Sequence, residues 1–277
     1  MTTQPPPAAN HSRSPGLEAH PFGDSALMLG IADDDPEVRR AGARRLRDVL
    51  LEVRPYGVLN LVAGAESLLV EFDCLAVSHG QLAQTVRLAV AGLGLQDTGP
   101  APGAKDFVIP MVVSDEFAPD LPGVAEELGL SQEATLEALT SSVLTINLLA
   151  AAMAPMMAGV KFPGQVSRCA EPRTDVAAGS VMVAGTSAII QPFPGPTGWK
   201  VIGRTPLTVC DIREDPATSY RPGDRVRFQV IPESGWAELE GRFLRPVPPA
   251  NQLSAPTQPA PTQPAPTQEG GTHGSEA

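Results

Sequence analysis

Hydrophobic and polar positions follow two different periods along this chain, and the changes of period mark out its elements. The run ALMLGIA (Ala26 to Ala32) is short, apolar and flanked by polar residues, which predicts a strand. In the next segment, DDDPEVRRAGARRLRDVLL, the apolar residues Val38, Leu46, Val49 and Leu50 gather on one side at helical spacing. Asp35 stands there as N-cap and Pro36 at the first helical position, where its missing N–H costs nothing. GVLNLVAG and ESLLVEFD give two β segments around a turn containing Gly64, with Leu68, Val70 and Phe72 alternating against Leu69 and Glu71. After His79, QLAQTVRLAVAGLGL carries Leu82, Val86 and Leu93 at helical spacing and stops at Gly94.

The stretch QDTGPAPGA breaks the pattern and places a domain boundary. Beyond it, FVIPMVV (Phe107 to Val113) reads as a strand, and PDLPGVAEELGLSQEATLEALTSSV as two helices with N-caps Asp120 and Ser131 and a turn at Gly129. The run VLTINLLAAAMAPMMAGV (Val143 to Val160) is nearly long enough to span a bilayer, but Asn147 and Pro155 interrupt it and no basic residue flanks it before Lys161. It predicts buried structure and no membrane span. From Pro163 onward, SVMVAG, AIIQPF, WKVIG, LTVCDI and RVRFQVI are short β-like runs separated by turn signals such as PGPTG and RPGD, the pattern of a barrel or sandwich. The ends, residues 1–20 and the APTQP-rich residues 248–277, cannot bury enough apolar surface to order themselves. The fold class expected is α+β, with a small α+β domain over residues 21–96 and a β-rich domain over residues 105–247.

Charge narrows the function classes. The formal net charge is -11, and residues 21–159 hold 8 Lys+Arg against 19 Asp+Glu, whereas residues 160–248 hold 11 against 9. The helix-turn-helix appearance of residues 119–143 fails on this ground, because no Lys or Arg lies between Lys105 and Lys161 to contact phosphate. Arg39, Arg40, Arg44, Arg45 and Arg47 read as a solvated helix face, so no nucleic-acid partner is expected. Cys74, Cys169 and Cys210 are far apart and read as reduced core residues. The N-terminus carries no apolar h-region, which points to a cytoplasmic protein.

Few standard catalytic groups are present. His11, His20 and His273 lie in or beside the tails, leaving His79, and there is no P-loop, no HExxH and no dinucleotide-binding glycine pattern. A polar cluster remains: Arg168, Glu171, Pro172, Arg173, Asp175, Ala178-Gly179-Ser180, Trp199 and the run Ile202-Gly203-Arg204-Thr205-Pro206. Arginine forks suit a carboxylate or phosphate, and Gly179 and Gly203 allow backbone N–H groups to approach an oxyanion. The same residues also fit an ion pair at a barrel rim with glycines in turns.

Read in order, the blocks PFGDSALML, SLLVEFD, IPMVVSDEFAPDLPGVAEELGLSQEATLEAL, PRTDVAAGSVMVAG, GPTGWKVIGRTPLTVCDI and RPGDRVRFQVI resemble the family of 5-oxoprolinase B subunits. That family includes allophanate hydrolase subunit 1 and the Kip-type kinase inhibitor. The resemblance implies a cyclophilin-like β-barrel after the N-terminal α+β domain. It also implies assembly with a C-type carboxyltransferase-domain protein, and often with an A-type protein, in a complex that opens 5-oxoproline at the expense of ATP. That ATP contacts either this chain or the assembled complex. Carried over residue by residue, the substrate-binding positions are Arg173, Ser180, Trp199, Arg204 and Thr205. The chain departs from its relatives where Thr140 replaces a His, Leu144 a Tyr, and Ala150-Ala151 a Gly-Phe pair. Those losses leave a regulator, or a repurposed stand-alone barrel enzyme, as the alternative functions.

Overall fold

The computed structural model describes residues 16–91, 99, 101 and 103–248. Its first sheet contains β1 (Gly16–Pro21), β2 (Ala26–Ala32), β3 (Val58–Ala63) and β4 (Ser67–Phe72), in the antiparallel order β1-β2-β4-β3. Alternation sets its inner face: Leu27, Leu29, Ile31, Leu68, Val70 and Phe72 are buried in one cluster with residues of α1 (Pro36–Val53) and α2 (His79–Ala89). Helix α1 starts as its sequence dictates, with Asp35 accepting from Glu37 N at 2.8 Å and Pro36 in the first turn. Helix α2 opens with a capping box between Ser78 and Gln81. The helix ends before Gly94, which lies outside the described residues.

Three expectations for this half need correction. Residues 16–20 are not unstructured, because Gly16–Pro21 hydrogen-bonds along β2 in a register that runs from Gly16 opposite Ala32 to Pro21 opposite Leu27. The arginines of α1 are not simply solvated: Arg39 and Arg40 pair with Glu66, and Arg44 donates to Asn147 Oδ1 at 3.0 Å, tying α1 to the second sheet. Burial lowers the Arg44 pKa, with Glu37 opposing that effect. Cys74 is exposed in the turn after β4, while Cys169 is half-buried and Cys210 buried.

The second sheet has seven strands in the order β12-β9-β10-β7-β6-β13-β5, drawn from β5 (Asp106–Met111), β6 (Leu144–Leu149), β7 (Pro155–Ala158), β9 (Ser180–Ala184), β10 (Ser187–Ile190), β12 (Lys200–Arg204) and β13 (Arg225–Val230). All its pairings are antiparallel except β13 with β5. Val112 N donates to Arg204 O at 2.8 Å and Arg204 N to Val112 O at 3.0 Å, which joins the two edge strands and closes the sheet into a barrel. Phe107, Ile109, Val181, Val183, Ile190, Ile202, Val226 and Phe228 fill it. The expected α+β class with a β-barrel is therefore observed. The apolar run Val143 to Val160 is the β6–β7 hairpin, and no helix among the described residues is long and apolar enough to cross a membrane.

Helices α3 (Leu121–Leu128) and α4 (Gln132–Thr140) pack beside the barrel, and α5 (Trp236–Leu239) follows β13. A two-stranded ribbon of β8 (Arg173–Val176) and β11 (Gly195–Thr197) lies over a small apolar cluster of Ala154, Val176, Met182, Ile189 and Val201. LTVCDI does not form the expected strand; Thr208 makes a single bridge to Phe243, and Thr205 Oγ1 takes the Leu207 N–H that a ladder would need. Residues 249–277, most of the C-terminal segment expected to be disordered, lie outside the described residues, as does most of the stretch read as the boundary.

Two buried carboxylates fix the entry to the barrel. Asp224 of the RPGD turn accepts Lys105 N at 2.8 Å and Arg221 N at 2.9 Å, and burial pushes its pKa up against those hydrogen bonds. Asp106 at the head of β5 receives both Arg225 Nε at 2.7 Å and Nη2 at 2.8 Å across the parallel pair.

Candidate functional site

The polar cluster singled out in the sequence folds onto the outside of the barrel. There the ribbon, the segment before α3 and strands β9 and β12 enclose a cleft of about 200 Å³. Arg173, Ser180 and Arg204 line it together with Glu116, Phe117 and Asp175. Three of the five expected binding residues thus meet in one place. Trp199 and Thr205 do not line it.

Arg204 ends β12 at the seam that closes the barrel, so its backbone is fixed by the bonds to Val112. Gly203 permits the close approach: a Cβ there would sit 3.1 Å from Met111 Sδ and 3.4 Å from Val112 O. The Arg204 side chain donates from Nε to Ala178 O at 2.9 Å. Its guanidinium carbon lies 5.4 Å from the Phe117 ring centroid and 5.0 Å from that of Trp236, and those two rings stack at 4.8 Å. Rings and carbonyl hold the guanidinium plane, while its terminal nitrogens have no partner among the described residues. Such an edge is suited to a carboxylate. The Ser180 hydroxyl likewise has no partner among the described residues.

Arg173 is differently placed. Both of its terminal nitrogens donate to Asp120, Nη2 to Oδ1 at 2.6 Å and Nη1 to Oδ2, and Asp120 Oδ2 also accepts Val201 N at 2.7 Å. Asp120 was expected to cap α3 with its side chain; it makes no capping bond, because the carboxylate is committed to the ribbon and to β12. Burial raises its pKa, but the hydrogen bonds from Arg173 and Val201 outweigh that and hold it below the ordinary aspartate range. A depressed folded pKa means stability present above the unfolded aspartate value, about 3.9, and lost as pH falls through the folded one. Asp120→Asn is therefore expected to lower the urea midpoint at neutral pH, with the gap to the parent protein closing below about pH 4. A constant gap across that range would contradict the assignment.

The remaining expected residues lie outside this cleft. Thr205 is buried, with its N–H on Gly179 O at 2.9 Å and its Oγ1 accepting Leu207 N at 3.2 Å. Trp199 packs against the apolar cluster beneath the ribbon. Gly179 is no oxyanion donor, since its N–H goes to Gln191 O at 2.7 Å. It is required for another reason: its φ is +83°, and a Cβ would stand 2.3 Å from Thr205 O. Gly179→Ala is expected to cost at least about 1–2 kcal/mol from the backbone conformation alone, checked by thermal unfolding; an unchanged midpoint would refute the packing described. His79 also serves the fold, with Nε2 at 3.1 Å from both Gly23 O and Ala26 O and its ring edge-on to Phe72. Thr140 donates to Leu136 O at 2.9 Å within α4.

Sequence reasoning missed Phe117 and Trp236. A signal existed, because the chain has two tryptophans and 4% aromatic residues, so each ring outside the core is informative. No group of three or more His, Cys, Asp or Glu among the described residues is arranged to hold a metal.

Comparison with known proteins places this geometry in context. Residues 17–220 match the family described as carboxyltransferase domain, subdomain C and D. The 5-oxoprolinase B subunit of Bacillus subtilis (strain 168) is 29% identical over 225 residues, 78% of this chain and 93% of that protein. The 5-oxoprolinase B subunit of Escherichia coli O157:H7 is 34% identical over 128 residues, 46% of this chain and 59% of that one. Among solved structures, TTHA0988 superposes with a TM-score of 0.60 at 30% identity, over 74% of this chain and 39% of that chain. The Kluyveromyces lactis urea amidolyase aligns with a TM-score of 0.65 at 18% identity, over 84% of this chain and 16% of that one, a likeness of fold.

Proposed function

Because the chain belongs to the carboxyltransferase subdomain C and D family, we propose that it is the B-type component of a 5-oxoprolinase-type complex that hydrolyses a lactam or linear amide. The observation that carries this reading is the match to the Bacillus subtilis protein over 93% of that protein's length. The cleft adds chemical support: Arg204 presents a guanidinium edge for a substrate carboxylate, and Ser180 a hydroxyl for the amide. Arg173, fastened to Asp120, holds the ribbon wall of the cleft in place.

In this reading the chain binds and orients the substrate, and ATP is handled elsewhere in the complex. The cleft, about 200 Å³, is smaller than the roughly 300–1,000 Å³ usual for drug-sized ligands, which suits a lactam or an amino acid and not a nucleotide, and Glu116 and Asp175 would repel a polyphosphate. The partner proposed is a cytoplasmic C-type carboxyltransferase-domain protein, with or without an A-type protein. Affinity purification of the tagged chain from its own host, with partners identified by mass spectrometry, tests the association. Recovery of a carboxyltransferase-domain protein in stoichiometric amount is expected, and recovery of a kinase in its place would favour a regulator.

A further inference from the structure

The cleft beside Arg204 holds charge of both signs. Glu116 and Asp175 line it, both exposed, and neither has a hydrogen-bond or ion-pair partner among the described residues. Arg173 does not neutralise them, because its two terminal nitrogens are committed to Asp120. Arg204 has its face covered by Phe117 and Trp236 and its Nε bound to Ala178 O, so its terminal edge alone is offered to a ligand.

An anion with no hydrogen-bond donor does not meet the demands of these groups, and one with a single neutral N–H, such as the lactam proposed above, meets them only in part. A carboxylate on Arg204 would bring its own charge toward Glu116 and Asp175, and like charges in a small cleft repel. A simple cation would satisfy the carboxylates and leave the guanidinium edge unused. A molecule with a carboxylate at one end and an ammonium beside it satisfies both, and the cleft of about 200 Å³ is of a size for such a ligand. We propose that this cleft is an amino-acid site, in which Arg204 takes the carboxylate while Glu116 and Asp175 take the ammonium and act as specificity-determining residues.

That the amino acid is the ring-opened product of lactam hydrolysis rests on the function proposed above. A lactam nitrogen carries one N–H and no charge; cleaving its C–N bond with water leaves an amine that takes up a proton. The two carboxylates therefore prefer the opened product to the closed substrate.

The test is isothermal titration of the full chain with L-glutamate, and with glutarate, which keeps both carboxylates but lacks the ammonium. L-glutamate is expected to bind at least about tenfold more tightly than glutarate, the scale of one charge-assisted hydrogen bond. In the E116Q/D175N double variant, whose side chains are exposed and outside the core, that preference is expected to vanish while glutarate binds no more weakly than before. Equal affinities in the parent chain, a preference that survives in the double variant, or no binding of L-glutamate would each overturn the proposal. The titration needs neither ATP nor a partner, so the amino-acid site and the hydrolase reading can fail independently.

Discussion

Asp106→Ala is expected to destabilise the protein by about 3–5 kcal/mol, the usual cost of removing one member of a buried ion pair. The Asp106 carboxylate is 1% exposed and accepts two bonds from Arg225, whose side chain is 14% exposed. The loss leaves the half-buried Arg225 without this carboxylate, at the parallel pairing of β13 with β5. Surface pairs such as Arg245 with Glu214 give no such expectation, since exposed ion pairs contribute about 0–1 kcal/mol. Replacing both partners with apolar residues closer to them in volume, Asp106→Val with Arg225→Met, is expected to recover most of the loss. Urea unfolding of the three proteins checks this, and a single-variant loss under about 1 kcal/mol would show that the pair is solvated after all.

The second large effect is on function. Arg204→Gln is expected to lower kcat/KM for 5-oxoproline in the assembled complex by about 10- to 150-fold, the loss of a charge-assisted hydrogen bond of roughly 1.5–3 kcal/mol. The fold should survive, because Arg204 closes the barrel through backbone atoms that the substitution keeps. Arg204→Lys retains charge but loses the flat face that lies against Phe117 and Trp236, and an intermediate kcat/KM is expected. Turnover unchanged in Arg204→Gln would remove Arg204 from the substrate's path.

What the sequence disclosed was what short-range physics controls. Helix α1 was legible because Asp35, Pro36 and the apolar stripe are all local signals, and β2 and β4 because alternation against a buried face is itself local. Strand β1 was not, since GLEAHP has little β propensity and exists as a strand through its pairing with β2. Asp120 shows the same limit from the other side. Its position before α3 is that of a cap, yet its carboxylate is captured by Arg173, distant in sequence, and by Val201 N. The cleft was half legible: arginines and glycines announced an anion site, but composition could not tell Arg173, which is paired, from Arg204, whose edge is open. The aromatic support of Arg204 comes from Phe117 before α3 and Trp236 of α5, which are far apart in sequence and stack in the fold.

The proposed function is tested by 5-oxoproline-dependent ATP hydrolysis by this chain purified together with the carboxyltransferase-domain protein proposed as its partner, with glutamate formation followed in parallel. ATP consumption matched by glutamate is expected, with neither activity remaining when this chain is left out. ATP hydrolysis indifferent to 5-oxoproline, or glutamate formed at the same rate without this chain, would contradict it.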